Sequence, residues 1–566
     1  MNIVDKASLL KHLINWRLTW AKRNTHYTFT VPGNPKFMGP RDAVKLIKDG
    51  SVVATSGLGG NQRASIMYWA VQEIYKETGK PRDLTFCSIG GHGGRGIAPG
   101  TVEEMGLPGL CTRFFAGHLE TFKAQLKLGD EGKCEIQVIP QGTEARLFAA
   151  QARGEDSLLT PTGVGTFIDP RVGRGTPLND PNGKQYVVPE GDQLRFSIPK
   201  INVALFNAPA ADRKGNIYVK NASMIGESYE AAMAAKRNGG IVIVNVGLIV
   251  DEGYDDIFLP ADKVDAIVYY PRTEQTGSIY HDKPLDFFTT NSSTPIEEGV
   301  ARSKFVNQVL GITPRRNEVD NALARLAAST FAENARKGMY VNVGVGLPEE
   351  VCRLLFEGGL LNDVKLLVES GVIGGVPAPG VFFGASICPE RMISSPSIFD
   401  MFFEKLDVTT LGFLQVDSEG NVNVSKRGEG AINYVGPGGF MELTTAAKMV
   451  NFVGTFMAHS KMSISPSGLK IIKRGKPKFV DKVDEITFSG REALKRGMKI
   501  FYNTNVGVFR LTERGVELCR VMPGVDIKRD ILDFCPMKIV LPENGNIPVV
   551  GKEIVTGDGF KLSLKS

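Results

Sequence analysis

The chain has no long apolar run, no cysteine pair at metal or redox spacing, and no block of like charge. Its longest apolar stretch, IVIVNVGLIV at 241–250, is far short of the roughly 20 residues a membrane-spanning helix needs. The opening segment, MNIVDKASLLKHLINWRLTWAKRN, lacks the apolar core and the small-residue cleavage site of a secretory signal. Seven cysteines, at 87, 111, 134, 352, 388, 519 and 535, form no CxxC pair. Their odd number argues against a disulfide framework, so a reducing cytoplasm is the expected setting. Six histidines make no HxH or HExxH pattern, and no metal is expected. The net charge of +6 is spread over 566 residues, which excludes a nucleic-acid signature and suits at most the attraction of small anions.

What is present is an ordinary soluble composition with an excess of glycine. Apolar residues make up 42% and charged residues 23%, so a sizeable core is available and disorder is not indicated. At about 150 residues per unit the length allows two to four domains. Many of the 64 glycines gather in GLGG, GGHGGRG, GVG and GPGG, where tight turns or close approach to a ligand require them. Leu9, Leu10, Leu13, Ile14, Leu18 and Trp20 recur at roughly helical spacing over 7–22, which predicts a helix docked on the body or on a partner.

The chain repeats itself. KDGSVVATSGLGG at 48–60 resembles RKGMYVNVGVGLP at 336–348, and RDLTFCSIGGHGG at 82–94 resembles VKLLVESGVIGG at 364–375. ADRKGNIYV at 211–219 matches VDSEGNVNV at 416–424, with Asp, Gly and Asn at equal offsets, and AAKRNGGIVIVNV at 234–246 matches AAKMVNFVGTFMA at 446–458. Four matches in one order predict two α/β domains of common design. The reading divides the chain into an N-terminal helical extension (1–38), a first domain (39–305), a linker (306–325) and a second domain (326–566). Extra sequence in the first copy, chiefly 95–200 and rich in proline and glycine, reads as a functional loop or lid or as a family insertion. The cleft between the two copies is the expected site.

One stretch of the second copy stands out. In LLVESGVIGG, at 366–375, an apolar strand ends in Glu369 and opens into a glycine turn. The carboxyl ends of strands in open α/β sheets face the ligand crevice, and the matching strand of the first copy offers Cys87 and Ser88 but no carboxylate.

VESGVIGG resembles the glutamate motif of the family I coenzyme A transferases, the group that includes acetate, propionate and 3-oxoacid CoA-transferases. The likeness extends through PQGT at 140–143, GVGTFIDPR at 163–171, NVGVGLP at 342–348, QVDSEGNVNVS at 415–425 and GPGGFMEL at 436–443. It covers nearly all of the chain after about residue 38, with α-type and β-type parts fused. The resemblance implies two similar open α/β domains with the active site at their interface. It implies Glu369 as a nucleophile that carries CoA as a glutamyl thioester in ping-pong chemistry. It also implies an oxyanion hole from the Gln141 side chain and a backbone amide of Gly438 or Gly439, and CoA contacts at Gly344, Val345, Gly346 and Gly439. CoA is then substrate and covalent intermediate, with no permanently bound cofactor. The expected partners are acyl-CoA and small carboxylic acids, without nucleic acid or membrane, in a homodimer or homotetramer. An acyl-CoA hydrolase on the same scaffold and a silent acyl-CoA-binding protein are the rival readings.

Other residues read more than one way. His92 is expected to be held by nearby backbone groups, and Lys461 either meets a CoA phosphate or is solvated. Gly371, Gly374 and Gly375 shape the turn that presents Glu369. Phe382, Phe383, Phe402 and Phe403, bulky where relatives carry small residues, either reshape the acyl pocket or belong to the core.

Overall fold

The computed structural model describes residues 3–90, 98–312 and 315–565. The chain opens with helix α1 (Ile3–Thr19), which docks on the body through buried Leu13 and Trp16. Trp16 Nε1 donates to Glu274 Oε1 at 2.7 Å. The apolar spacing is only half informative here: Leu10, Ile14 and Leu18 point outward and stay exposed, because the docked face is narrower than the apolar stripe.

The first sheet contains β1 (Val52–Thr55), β2 (Leu84–Ser88), β3 (Cys111–Ala116), β4 (Glu135–Val138), β5 (Val203–Asp212), β6 (Ile241–Val250) and β7 (Ala266–Tyr269). Their spatial order is β7-β6-β5-β1-β2-β3-β4, and every neighbouring pair is parallel. Parallel sheets are covered on both faces, so their strands are apolar throughout; β5 is buried at all ten positions. Helix α2 (Gln141–Arg153) follows β4, and α3 (Ser228–Arg237) precedes β6.

Helices occupy much of the stretch that reads as a linker. Helix α4 (Ile296–Leu310) runs into it, and α5 (Glu318–Ala332) begins within it behind a reciprocal capping box between Asn317 and Asp320. The Asn-x-x-Asp spacing is the local signal for that start.

The second sheet is built from β8 (Tyr340–Val343), β9 (Lys365–Leu367), β10 (Val372–Ile373), β11 (Arg391–Met392), β12 (Leu406–Leu411), β13 (Met449–Val453), β14 (Lys499–Thr504), β15 (Gly507–Thr512) and β16 (Gly515–Val521). The order is β11-β10-β9-β8-β12-β13-β14-β15-β16, with β9-β8-β12-β13-β14 parallel. That parallel run repeats the arrangement β2-β1-β5-β6-β7 of the first sheet. The duplication therefore extends from sequence to topology. It reaches the turns as well: Asp212 accepts from the Asn216 amide at 2.9 Å as Asp417 accepts from the Asn421 amide at 3.0 Å.

Among the described residues, the extra sequence of the first copy includes regular structure, namely β3, β4, α2 and a three-stranded antiparallel sheet (Leu158–Thr160, Val187–Glu190, Gln193–Phe196), with a run of turns and bends at 161–186. It also ties the halves together, since Phe167 N donates to Ile486 O at 2.8 Å and Arg174 pairs with Glu485. Helices α6 (Ser395–Lys405) and α7 (Phe440–Ala446) of the second half pack on α2 of the first. One apolar core runs through both halves, from Phe37 and Val53 to Phe452 and Tyr502.

Candidate active site

Strand β9 delivers Val368 and Glu369 into a tight reversal. Val368 N donates to Val372 O and Gly371 N to Val368 O, each at 2.9 Å. Only glycine fits at 371: its φ is +98° and an added Cβ would lie 1.9 Å from Ile393 O. Ser395 Oγ donates to Glu369 O at 3.0 Å, and Ser370 Oγ donates to Gly384 O at 2.5 Å. The backbone that carries the carboxylate is therefore fixed from both sides.

Glu369 is half-buried, so its carboxylate is enclosed by protein yet open to an incoming group. Burial pushes its pKa above the ordinary carboxylate value, against hydrogen bonds from its own backbone amide and from the Asn342 side chain. Desolvation makes the carboxylate more basic, and the donors keep an ionised fraction for attack. Asn342, in β8, is itself fixed: its Nδ2 also donates to Leu367 O at 3.0 Å, and its Oδ1 accepts from Thr409 Oγ1 at 3.1 Å. Sequence reasoning missed this residue. Its one signal is an amide in the otherwise apolar run Tyr340–Val343.

The first half meets this turn through Gln141, the first residue of α2. Its amide donates to Gly438 O at 2.9 Å, and Gly438 N donates to Gly117 O at 3.0 Å. A Cβ on Gly438 would lie 3.7 Å from Gln141 Oε1, and one on Gly439 would lie 3.2 Å from Glu369 Cγ and 3.4 Å from the Phe399 ring. Glu369, Gln141, Gly438 and Gly439 thus share one spot between the halves. The amide of Gly438 is engaged, whereas that of Gly439 has no acceptor among the described residues. His118 flanks the same turn, its Cβ 3.9 Å from where a Cβ on Gly438 would lie, and burial holds its imidazole below the ordinary range.

Gly344, Val345 and Gly346 follow β8 beside the end of β12, where Gly344 N donates to Thr410 O at 2.8 Å. This is where the chain order reverses between neighbouring strands, the usual crevice of a doubly wound sheet. Val345 is exposed, and Gly346 O accepts from Arg316 at 2.8 Å. Lys461 lies on a different element, the exposed start of the hairpin strand Lys461–Ser465, in register with Lys473. His92 falls outside the described residues. Phe382 and Phe402 are core residues. Phe383 joins Leu58, Met224, Val368, Val372 and Met392 in a small apolar cluster shared by the two halves, and Phe403 lies under the Arg146 guanidinium. Among the described residues no group of three His, Cys, Asp or Glu side chains is placed to hold a metal ion.

Residues 37–269 match the family model described as Coenzyme A transferase. The chain is 32% identical over 521 residues to the caffeate CoA-transferase of Acetobacterium woodii, covering 88% of this chain and 93% of that protein. This chain belongs to the coenzyme A transferase family. It is also 31% identical over 530 residues to the acetate CoA-transferase YdiF of Escherichia coli K12, covering 91% and 94% of the two chains. The solved structure of the acyl-CoA transferase YdiF from E. coli O157:H7 in a thioester complex with CoA superposes with a TM-score of 0.81 at 28% identity, covering 93% of this chain and 97% of that one. The fused, two-domain CoA-transferase fold is thereby established for this chain.

Proposed function

We propose that this CoA-transferase moves coenzyme A from a short-chain acyl-CoA to an acceptor carboxylic acid through a thioester on Glu369. The observation that carries the reading is the convergence of a half-buried Glu369, the Gln141 end of α2 and the Gly439 amide, unengaged among the described residues, at one point between the halves.

The Glu369 carboxylate attacks the thioester carbonyl. The carbon–sulfur bond breaks and CoA thiolate leaves, giving a mixed anhydride of Glu369 and the donor acid. The thiolate then attacks the Glu369 carbonyl and expels the donor carboxylate, leaving glutamyl-CoA. An acceptor carboxylate runs the two steps in reverse, so the thioester energy is conserved and the kinetics are ping-pong. Each attack builds a tetrahedral oxyanion, which needs donors fixed in advance. The Gln141 side-chain amide and the Gly439 N–H supply them in this reading, with Gly438 shaping the turn. CoA lies along Gly344, Val345 and Gly346 at the crevice of the second sheet, and Lys461 is the candidate for its phosphates. The thioester complex of E. coli YdiF with CoA supports the intermediate.

Family resemblance supports a homodimer or homotetramer, and the seven cysteines, all free thiols, suit a cytoplasmic setting. No helix among the described residues is long and apolar enough to cross a membrane.

The test is to incubate the protein with acetyl-CoA or propionyl-CoA without acceptor, reduce with borohydride, digest, and weigh the Glu369 peptide. Conversion of that side chain to the alcohol is expected. An unmodified peptide across a broad acyl-CoA panel would overturn the mechanism. Thiol release that continues without acceptor would make the enzyme a hydrolase.

A further inference from the structure

Helices α2 and α7 come from opposite halves, and their amino ends meet at the candidate oxyanion hole. Gln141 is the first residue of α2, and Gly439 immediately precedes α7. The Gln141 N–Gly438 O bond is one clasp between them. One turn further along lies a second: Glu442 Oε1, on α7, accepts from Thr143 N at 2.7 Å and from Thr143 Oγ1 at 2.8 Å, on α2.

Both partners of this second clasp are fully buried. Burial pushes the Glu442 carboxyl up to about 7, against the two Thr143 donors that pull it down. Glu442 Oε2 has no hydrogen-bond partner among the described residues. A buried carboxyl with one unpartnered oxygen is a poor source of stability, since an apolar side chain of similar volume avoids the desolvation cost. What it supplies is a fixed distance between two helix ends that no covalent or sheet contact sets. Phe399 of α6 fills the space between them: an added Cβ on Gly142 would lie 2.2 Å from its ring, and one on Gly439 would lie 3.4 Å away. The two helix ends therefore rest on a common ring and are drawn onto it by the Glu442–Thr143 pair.

Resting on the proposed oxyanion role of Gln141, we infer that Glu442 is a positioning residue: by holding the first turn of α2 against α7, it sets the Gln141 amide and the Gly439 N–H at the separation a single oxyanion requires. Misplacing catalytic groups by about 1 Å through a change outside the chemistry can cost on the order of 100-fold in rate, and that is the loss expected for Glu442→Ala.

The experiment compares steady-state kinetics and thermal melts of Glu442→Ala, Glu442→Asp, Glu442→Gln, Gln141→Ala and the double variant Gln141→Ala/Glu442→Ala. Glu442→Ala and Glu442→Asp are expected to lower kcat with little change in KM for acyl-CoA. Glu442→Gln keeps an oxygen for both Thr143 donors and is expected to restore kcat. Because Glu442 acts through Gln141, the double variant is expected to be no slower than Gln141→Ala. Multiplying losses in the double variant, normal turnover of Glu442→Asp, or a Glu442→Gln as slow as Glu442→Asp would each overturn the positioning role. If Glu442→Ala fails to fold, the Asp and Gln variants, and the Asp variant combined with Gln141→Ala, carry the same comparison. A normal Gln141→Ala removes the oxyanion reading and this inference with it, whereas a slow Gln141→Ala beside a normal Glu442→Asp removes the inference alone.

Discussion

Gln141 and Gly438 belong to opposite halves of the chain, and the amide of the first donates to the carbonyl of the second at 2.9 Å. The bond fixes the start of α2 beside the turn that faces Glu369, so the candidate site exists only when the halves are together. Replacing Gln141 with Ala leaves this backbone bond intact and removes only the side-chain amide. The expected result is a folded enzyme slowed by about 100 to 1000-fold, the usual cost of one lost oxyanion donor. Single-turnover labelling with acyl-CoA and borohydride checks it, since the Glu369 peptide should still be labelled, but slowly.

Asn342 holds the Glu369 carboxylate toward its ionised form. Asn342→Ala removes that donor, so the Glu369 pKa rises further. Because the ionised form attacks, the acid limb of the kcat/KM profile should move to higher pH, and turnover should fall most on the acid side. A profile that drops evenly at all pH values would show that Asn342 does not act through Glu369.

Gly371 makes the reversal that presents Glu369. An alanine there meets Ile393 O and must adopt a left-handed φ, a strain of about 1 to 3 kcal/mol before any clash is counted. Gly371→Ala should therefore lower the melting temperature and activity together. Gly346, at φ +92°, meets only Pro348 at 4.0 Å, and Gly346→Ala should cost less stability. The contrast in thermal melts separates a turn locked against backbone from one that is merely left-handed.

Much of this arrangement was legible because local sequence and fold agree. The paired GxG, DxxGN and helix-to-strand segments gave two domains of one design, and the carboxyl-end position of Glu369 followed from strand and turn signals alone. What stayed hidden depends on contacts between distant residues. Asn342 reads as any polar residue in a strand, and its link to Glu369 crosses from β8 to the turn after β9. The regular strands β3 and β4 were obscured by glycine- and proline-rich neighbours at 95–200. The exposed Leu10, Ile14 and Leu18 show that helical spacing locates an apolar stripe without saying how much of it is covered. The amide of Gly439, free among the described residues, and the engaged amide of Gly438, one residue before it, could be told apart only by where Gly117 lies.

Glu227 yields a prediction about stability. It is buried at the head of α3, where its Oε1 accepts from Gly57 N at 3.1 Å. Burial, with Glu230 nearby, lifts its pKa from 4.5 to about 8. The folded state therefore binds this proton more tightly than the unfolded chain, and stability falls as pH rises wherever the folded state holds more protons. The contribution is complete below about 4.5, is lost progressively up to about 8, and is constant above that. Glu227→Gln retains an oxygen for Gly57 N but cannot ionise. Chemical denaturation across this range should show the variant gaining on the wild type as pH rises, with the difference levelling off above pH 8. Glu442 acts in the same direction in both proteins, whereas the Glu144 carboxyl is pushed up by its burial and by the charge of Glu227, so the difference between the two curves reports Glu227 together with its coupling to Glu144. Parallel curves would show that Glu227 titrates alike in the folded and unfolded chains and is not held neutral by its burial.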